Sequence, residues 1–154
     1  MLEKVLFIVV GAVLLSSCAH EPNPLAPQAL PKSLASTKQQ DPELNEAIAK
    51  SRNSLDSFIK RLDHPQRAEV FQVQASFPAL DGTPEYLWVG DVTFRDGSFT
   101  GTPTSKPHLH SKVAYGDSVT LKKADVTDWM ILKSGATEGG FTVDVLLRRE
   151  GQPQ

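Results

Sequence analysis

His108-Leu109-His110 is the most metal-like spacing in the chain. On an extended segment, residues i and i+2 point to the same side, so two imidazoles there can share one ion. A closed site needs about four ligands, and the sequence marks no third. A polar loop following Pro103 and Pro107 is therefore the favoured reading, and neither a metal nor a cofactor is expected. Two further pairs set a carboxylate near an indole, Glu85 with Trp88 and Asp128 with Trp129. A carboxyl packed against Trp tends to hold its proton and serve as a general acid, and indole rings stack on sugars. The plainer reading makes both tryptophans core residues and both acids turn caps. Together Glu85, Trp88, His108, His110, Asp128 and Trp129 form the candidate cleft, and the enzymatic reading is a small hydrolase using Glu85 or Asp128 with a loop histidine. No Gly-x-Ser-x-Gly elbow and no Gly-rich phosphate loop occurs. Lys122-Lys123 and Arg148-Arg149 are short basic pairs, read as solvated strand ends with contact to lipid headgroups as the alternative.

The remaining reactive side chain is Cys18, the single cysteine among 154 residues. It follows Lys4 and an apolar run from Val5 to Leu15. At ~1.5 Å per residue such a run is about 16 Å long, too short to span a bilayer and suited to a signal peptide. Leu15-Ser16-Ser17-Cys18 resembles the lipobox of bacterial lipoproteins. The resemblance implies cleavage before Cys18, a thioether-linked diacylglycerol on its sulfur, and a membrane anchor of several acyl chains. Ala19, rather than Asp, follows the cysteine; in enteric-type lipoproteins that implies the outer membrane, with the protein facing the periplasm.

Residues 1–17 are thus expected to be a leader and 18–40 a stalk with Pro22, Pro24, Pro27 and Pro31. A flexible chain of that length reaches ~25 Å. Residues 41–150 form the body. Asp41-Pro42-Glu43 supplies a cap, a proline at the first helical position and an early acid. Leu44, Ile48, Leu55, Phe58, Ile59 and Leu62 then fall on one face, and His64-Pro65 stops the helix. Phe71, Val73, Ala75 and Phe77 alternate as in a strand. Glu85 to Phe94 follows, with Tyr86, Trp88, Val92 and Phe94 expected to share the core face. Further strands are predicted at Ser98–Gly101, Ser118–Lys122 and Val126–Leu132. Phe141 to Arg148 is read as strand from its β-branched content, with helix as the alternative. The fold class is α+β: an amphipathic helix on a bent, mostly antiparallel sheet of five or six strands with SH3-like half-barrel character.

Five short motifs after that helix, Glu85-x-x-Trp88-Val89, Phe99-Thr100-Gly101, Gly116-Asp117-x-Val119, Asp128-Trp129-Met130 and Gly139-Gly140-Phe141-Thr142, resemble the bacterial domain of unknown function 2314 over roughly Pro42 to Leu147. That resemblance implies no catalytic residues. The formal net charge of −2 lacks the basic excess of a nucleic-acid binder. The expected function is a lipid-anchored, non-enzymatic module that binds an envelope protein or a small ligand.

Overall fold

A computed structural model describes residues 41–104, 106–107 and 112–151. The predicted leader, Cys18, the stalk and His108-Leu109-His110 lie outside the described residues.

Helix α1 runs Pro42–Asp63. The Asp41 carboxylate accepts hydrogen bonds from Glu43 N at 3.0 Å and Leu44 N at 3.1 Å, satisfying two of the amides a helix leaves unpaired at its start. Lys60 and Arg61 complement the other end of its dipole, and His64 closes it through an amide bond to Arg61 O. Six strands follow: β1 Val70–Pro78, β2 Pro84–Arg95, β3 Ser98–Pro103, β4 Val119–Lys122, β5 Val126–Lys133 and β6 Ala136–Gly139. All pair antiparallel in the order β4-β3-β2-β1-β5-β6, giving an open sheet with β4 and β6 at its edges. A 3₁₀ turn, Lys123–Asp125, joins β4 to β5. The chain ends in helix α2, Phe141–Glu150.

The main core lies between α1 and one face of the sheet. Phe58 is its centre, with ring centroids of Phe71, Phe99 and Trp129 at 5.7, 6.1 and 5.2 Å. A second, smaller cluster joins Leu44 and Ala47 of α1 to Val145 of α2.

Two sequence expectations are corrected. Residues 141–148 are helix, not strand: Thr142 and Val145, three apart, are the buried positions of α2, and the helix begins on donors satisfied from another element, described below. Trp88 does not share a face with Val92 and Phe94. Register slips between Gly90 and Thr93, where Asp91 takes a left-handed φ of 50°, and this bulge moves Val92 and Phe94 onto the face of Leu87 and Val89. Tyr86 and Trp88 point away from α1. Strand β6, Ala-Thr-Glu-Gly, has no apolar alternation to announce it.

Ion pairs tie the ends of α1 to its neighbours. Arg61 donates to both oxygens of Glu69 at the entry to β1, and Gln66 N adds a bond of 2.7 Å to the same carboxylate. The Arg61 hydrogen bond holds the Glu69 carboxyl down to about 2. At the other end Arg149 of α2 grips Asp41, and Arg148 with Arg149 grips Glu43. The Arg149 bond holds Asp41 down to about 2 as well.

Gly139, at φ 80°, is required by space as well as by backbone: a Cβ there would sit 2.3 Å from Trp129 O and 2.7 Å from its ring. Gly135, at φ 84°, has open space around it. Gly135→Ala should therefore cost only the left-handed penalty, about 1–2 kcal/mol, whereas Gly139→Ala should cost about 3 kcal/mol or more; urea unfolding of the two variants makes the comparison. Because Asp41 and Glu69 titrate in the folded state below their unfolded values of about 4, they stabilise the protein above that range, and the contribution fades as pH falls from about 5 to about 2. Urea midpoints of Asp41→Asn/Glu69→Gln should show a shallower loss over that window than the unchanged chain.

Candidate functional site

The sequence-selected residues are separated by the sheet. Directly opposed residues share a face, and Val73 is opposite both Val89 and Trp129 on the side of α1. Trp129 is buried there, its indole N–H donating to Ser51 O at 3.1 Å and Ser54 Oγ at 3.2 Å. Gln74 is opposite Trp88 on one side and Asp128 on the other, so those two lie on the far face, flanking it across three strands. Glu85 is opposite Phe77, on the side of α1, and is 5 % exposed. The two tryptophans therefore do not line one cleft. His108 and His110 lie outside the described residues.

Asp128 is fully buried, and its carboxylate is occupied by helix α2. Oδ2 accepts from Thr142 N at 2.8 Å and Thr142 Oγ1 at 2.7 Å; Oδ1 accepts from Phe141 N at 3.2 Å and from Trp129 N at 2.9 Å. Phe141 N and Thr142 N are amides of the first turn of α2, where the positive end of the helix dipole favours an anion. Gly140 offers no side chain for capping, so β5 supplies the cap from a distance. The approach is close because Gly139 lies against Trp129, Gly140 N donates to Trp129 O at 2.8 Å, and the Phe141 ring meets the Trp129 ring edge-on at 5.8 Å. Asp128-Trp129 and Gly139-Gly140-Phe141-Thr142 are thus two halves of one joint. Asp128 acts as a structural acceptor, and Trp129 as a core residue.

The far face carries a buried polar layer. Gln72 and Gln74 are 4 % and 0 % exposed, and Thr127 Oγ1 donates to the backbone and side-chain carbonyls of Gln74 at 3.2 and 3.1 Å. Thr104 lies over Gly90 and donates to Trp88 O through its amide and hydroxyl. This layer fixes side chains on the central strands and exposes little of its chemistry.

A concavity of about 620 Å³ opens instead beside the β2–β3 turn. Its lining comes from three places: Arg52 and Leu55 of α1, Asp96-Gly97-Ser98 at the turn, and Lys122-Lys123-Ala124 where β4 passes into the 3₁₀ turn. Asp96 and Gly97 have φ of 49° and 77°, as a tight hairpin demands. Lys123 N donates to Gly97 O at 2.9 Å and joins the turn to the 3₁₀ segment. Arg52 is held by a bond of 3.1 Å from Nε to Val126 O. The Lys123 ammonium pairs with Asp56, whose carboxyl it holds below the usual range. Among the described residues, neither Arg52 nor Lys122 forms an ion pair with an acid. In the sequence alone Lys122-Lys123 reads as a solvated strand end. Arg52 sits 70 residues upstream of Lys122, with no local signal to connect the two. The other basic pair, Arg148-Arg149, is consumed by Asp41 and Glu43.

A family model described as DUF2314, uncharacterized protein conserved in bacteria, matches residues 41–152. The chain belongs to this family. Uncharacterized protein YegJ of Escherichia coli strain K12 is 35 % identical over 105 residues, covering 68 % of this chain and 67 % of that protein. A putative ankyrin repeat protein of Neisseria meningitidis serogroup B is 25 % identical over 117 residues. That match takes in 71 % of this chain but 46 % of the Neisseria protein, so the chain spans less than half of that relative. No solved structure matches. In this DUF2314 chain the matched segment contains the Asp128 joint and the cationic concavity together.

If Asp128 is a cap, Asp128→Asn puts an amide N–H among donors and should lower stability by about 3 kcal/mol, with Thr142→Val losing about 1 kcal/mol. Urea unfolding should also show the two substitutions to be non-additive, as for partners in one network.

Proposed function

We propose that this chain is a lipid-anchored bacterial envelope protein whose folded body is a non-enzymatic binding module. The anchor is a diacylglycerol on Cys18, and the body faces the periplasm, held at the outer membrane. Among the described residues no helix is long and apolar enough to cross a membrane, so in this reading attachment falls to the Cys18 lipid. Two or more acyl chains suffice for stable anchoring.

The observation that carries the non-enzymatic reading is the engagement of Asp128. A general acid or base must have an oxygen within hydrogen-bond reach of a substrate proton, whereas both oxygens of this carboxylate accept bonds from the backbone and from Thr142. Its neighbour Trp129 is equally committed, to α1. The sequence therefore loses one of its two candidate carboxylates and one of its two candidate stacking rings to the fold. The partner in this reading is an envelope protein or a small ligand. The Neisseria match favours a module, since there the related stretch is accompanied by as much other sequence again.

Mass spectrometry of the protein recovered from cells tests the anchor. The expected product begins at Cys18 and carries a diacylglyceryl thioether, and Cys18→Ala abolishes that mass. An unmodified thiol, or a chain retaining residues 1–17, overturns the placement. Catalytic turnover on an envelope substrate that survives in Asp128→Asn but vanishes in Glu85→Gln would overturn the non-enzymatic reading.

A further inference from the structure

The chain contains two Asp-Gly bonds, Asp81-Gly82 and Asp96-Gly97. Each sets a nucleophile beside an electrophile, because the glycine nitrogen has no Cβ near it to shield it from the preceding side-chain carboxyl. Both bonds lie in turns between strands, and all four residues are exposed. Exposure therefore does not separate them, but hydrogen bonding does.

At the β1–β2 turn both reacting groups are held. Gly82 N donates to Ala79 O at 3.0 Å, and Asp81 Oδ1 accepts from Thr83 N at 2.8 Å. Bringing Cγ of Asp81 onto that nitrogen breaks both bonds. At the β2–β3 turn neither restraint exists. Among the described residues, nothing accepts from Gly97 N and nothing donates to the Asp96 carboxylate. A Cβ built on Gly97 meets nothing within 4 Å, so the carboxyl has open space in which to swing.

We infer that Asp96-Gly97 is a site of spontaneous modification, closing to a succinimide and reopening as isoaspartate. In the closing step Gly97 N attacks Cγ of the protonated carboxyl. The new C–N bond replaces the C–OH bond, and the amide proton leaves with that hydroxyl as water. Water then adds to either ring carbonyl: attack at Cγ restores aspartate, whereas attack at the main-chain carbonyl gives isoaspartate. The latter route puts one extra carbon into the main chain of a turn that is only two residues long. A two-residue turn depends on positive φ at both positions, here 49° and 77°. The lengthened turn no longer presents Gly97 O to Lys123 N, the 2.9 Å bond that joins it to the 3₁₀ segment. Isomerisation thus frees one wall of the concavity, and the inference goes beyond the binding-module reading without depending on it.

The test ages the full chain in water enriched in oxygen-18, with and without urea, and maps the label in peptides covering each bond. Every closing and reopening leaves one heavy oxygen at the aspartyl residue, whichever carbonyl is attacked. In the folded chain label should enter at Asp96 about tenfold faster than at Asp81, and in urea the two rates should converge. Asp96→Glu, whose longer side chain disfavours closure, should lose the label at this position. Asp96→Asn keeps the turn and closes the same ring with ammonia leaving, so isoaspartate should accumulate faster. Nitrogen-15 spectra of aged protein should show a second Lys123 amide peak that exchanges with solvent faster than the first. A folded chain that labels both bonds equally, or neither, overturns the site, as does an unchanged isoaspartate yield in Asp96→Asn. A Lys123 amide equally protected in both forms overturns the release of the turn.

Discussion

The fold closes on the carboxylate of Asp128. A helix of ten residues is too short to be stable alone in water, and α2 begins at a left-handed glycine that offers no cap. Its first amides therefore need an acceptor from elsewhere. Asp128 supplies one from β5, fully buried, at 2.7–3.2 Å from the Thr142 hydroxyl and the first two amides of α2. The cost of burying that carboxylate is offset only because its lone pairs meet donors. The same contact demands Gly139, since any side chain would strike Trp129. Trp129 in turn fastens α1 through Ser51 O. Sheet, long helix and short helix thus share one network, and each member constrains the geometry of the next.

This network explains what was legible in the sequence. Helix α1 is local in its signals: Asp41, Pro42 and Glu43 start it, His64 ends it, and Leu44, Leu55 and Phe58 mark the buried face between. Strand β1 is likewise visible in its alternation. The alternation of β2 is visible, but Leu87 and Val89 rather than Tyr86 and Trp88 face α1, and the bulge at Asp91 then brings Val92 and Phe94 to the side of Leu87 and Val89. Period-two reasoning carries no information about where register slips. Helix α2 was obscured because its cap lies 14 residues upstream, on a strand. Its composition alone, rich in Val and Thr at Thr142, Val143 and Val145, favours strand; the remote cap and contact with Leu44 and Ala47 override that preference.

The candidate site was less legible for a related reason. A shared cleft for Glu85 with Trp88 and Asp128 with Trp129 would need each acid and indole on one face, yet alternation along a strand places residues an odd number of positions apart on opposite faces. Trp129 went to the core and Asp128 to the helix joint. The cationic concavity draws from a helix, a hairpin turn and a 3₁₀ segment. None of the three stretches is distinctive by itself. Five motifs in fixed order did reveal the family, because the joint and the close strand contacts impose residue types at several separated positions. One such contact is Gly101, where a Cβ would lie 2.4 Å from Gly90 O.

Asp41 has a mechanical role that follows from its two sets of partners. It caps α1 through Glu43 N and Leu44 N and also receives the guanidinium of Arg149 from the far end of α2. A force applied at Asp41 is divided at once between the opening turn of one helix and the closing turn of the other, so it meets both helices in parallel rather than peeling either from its end.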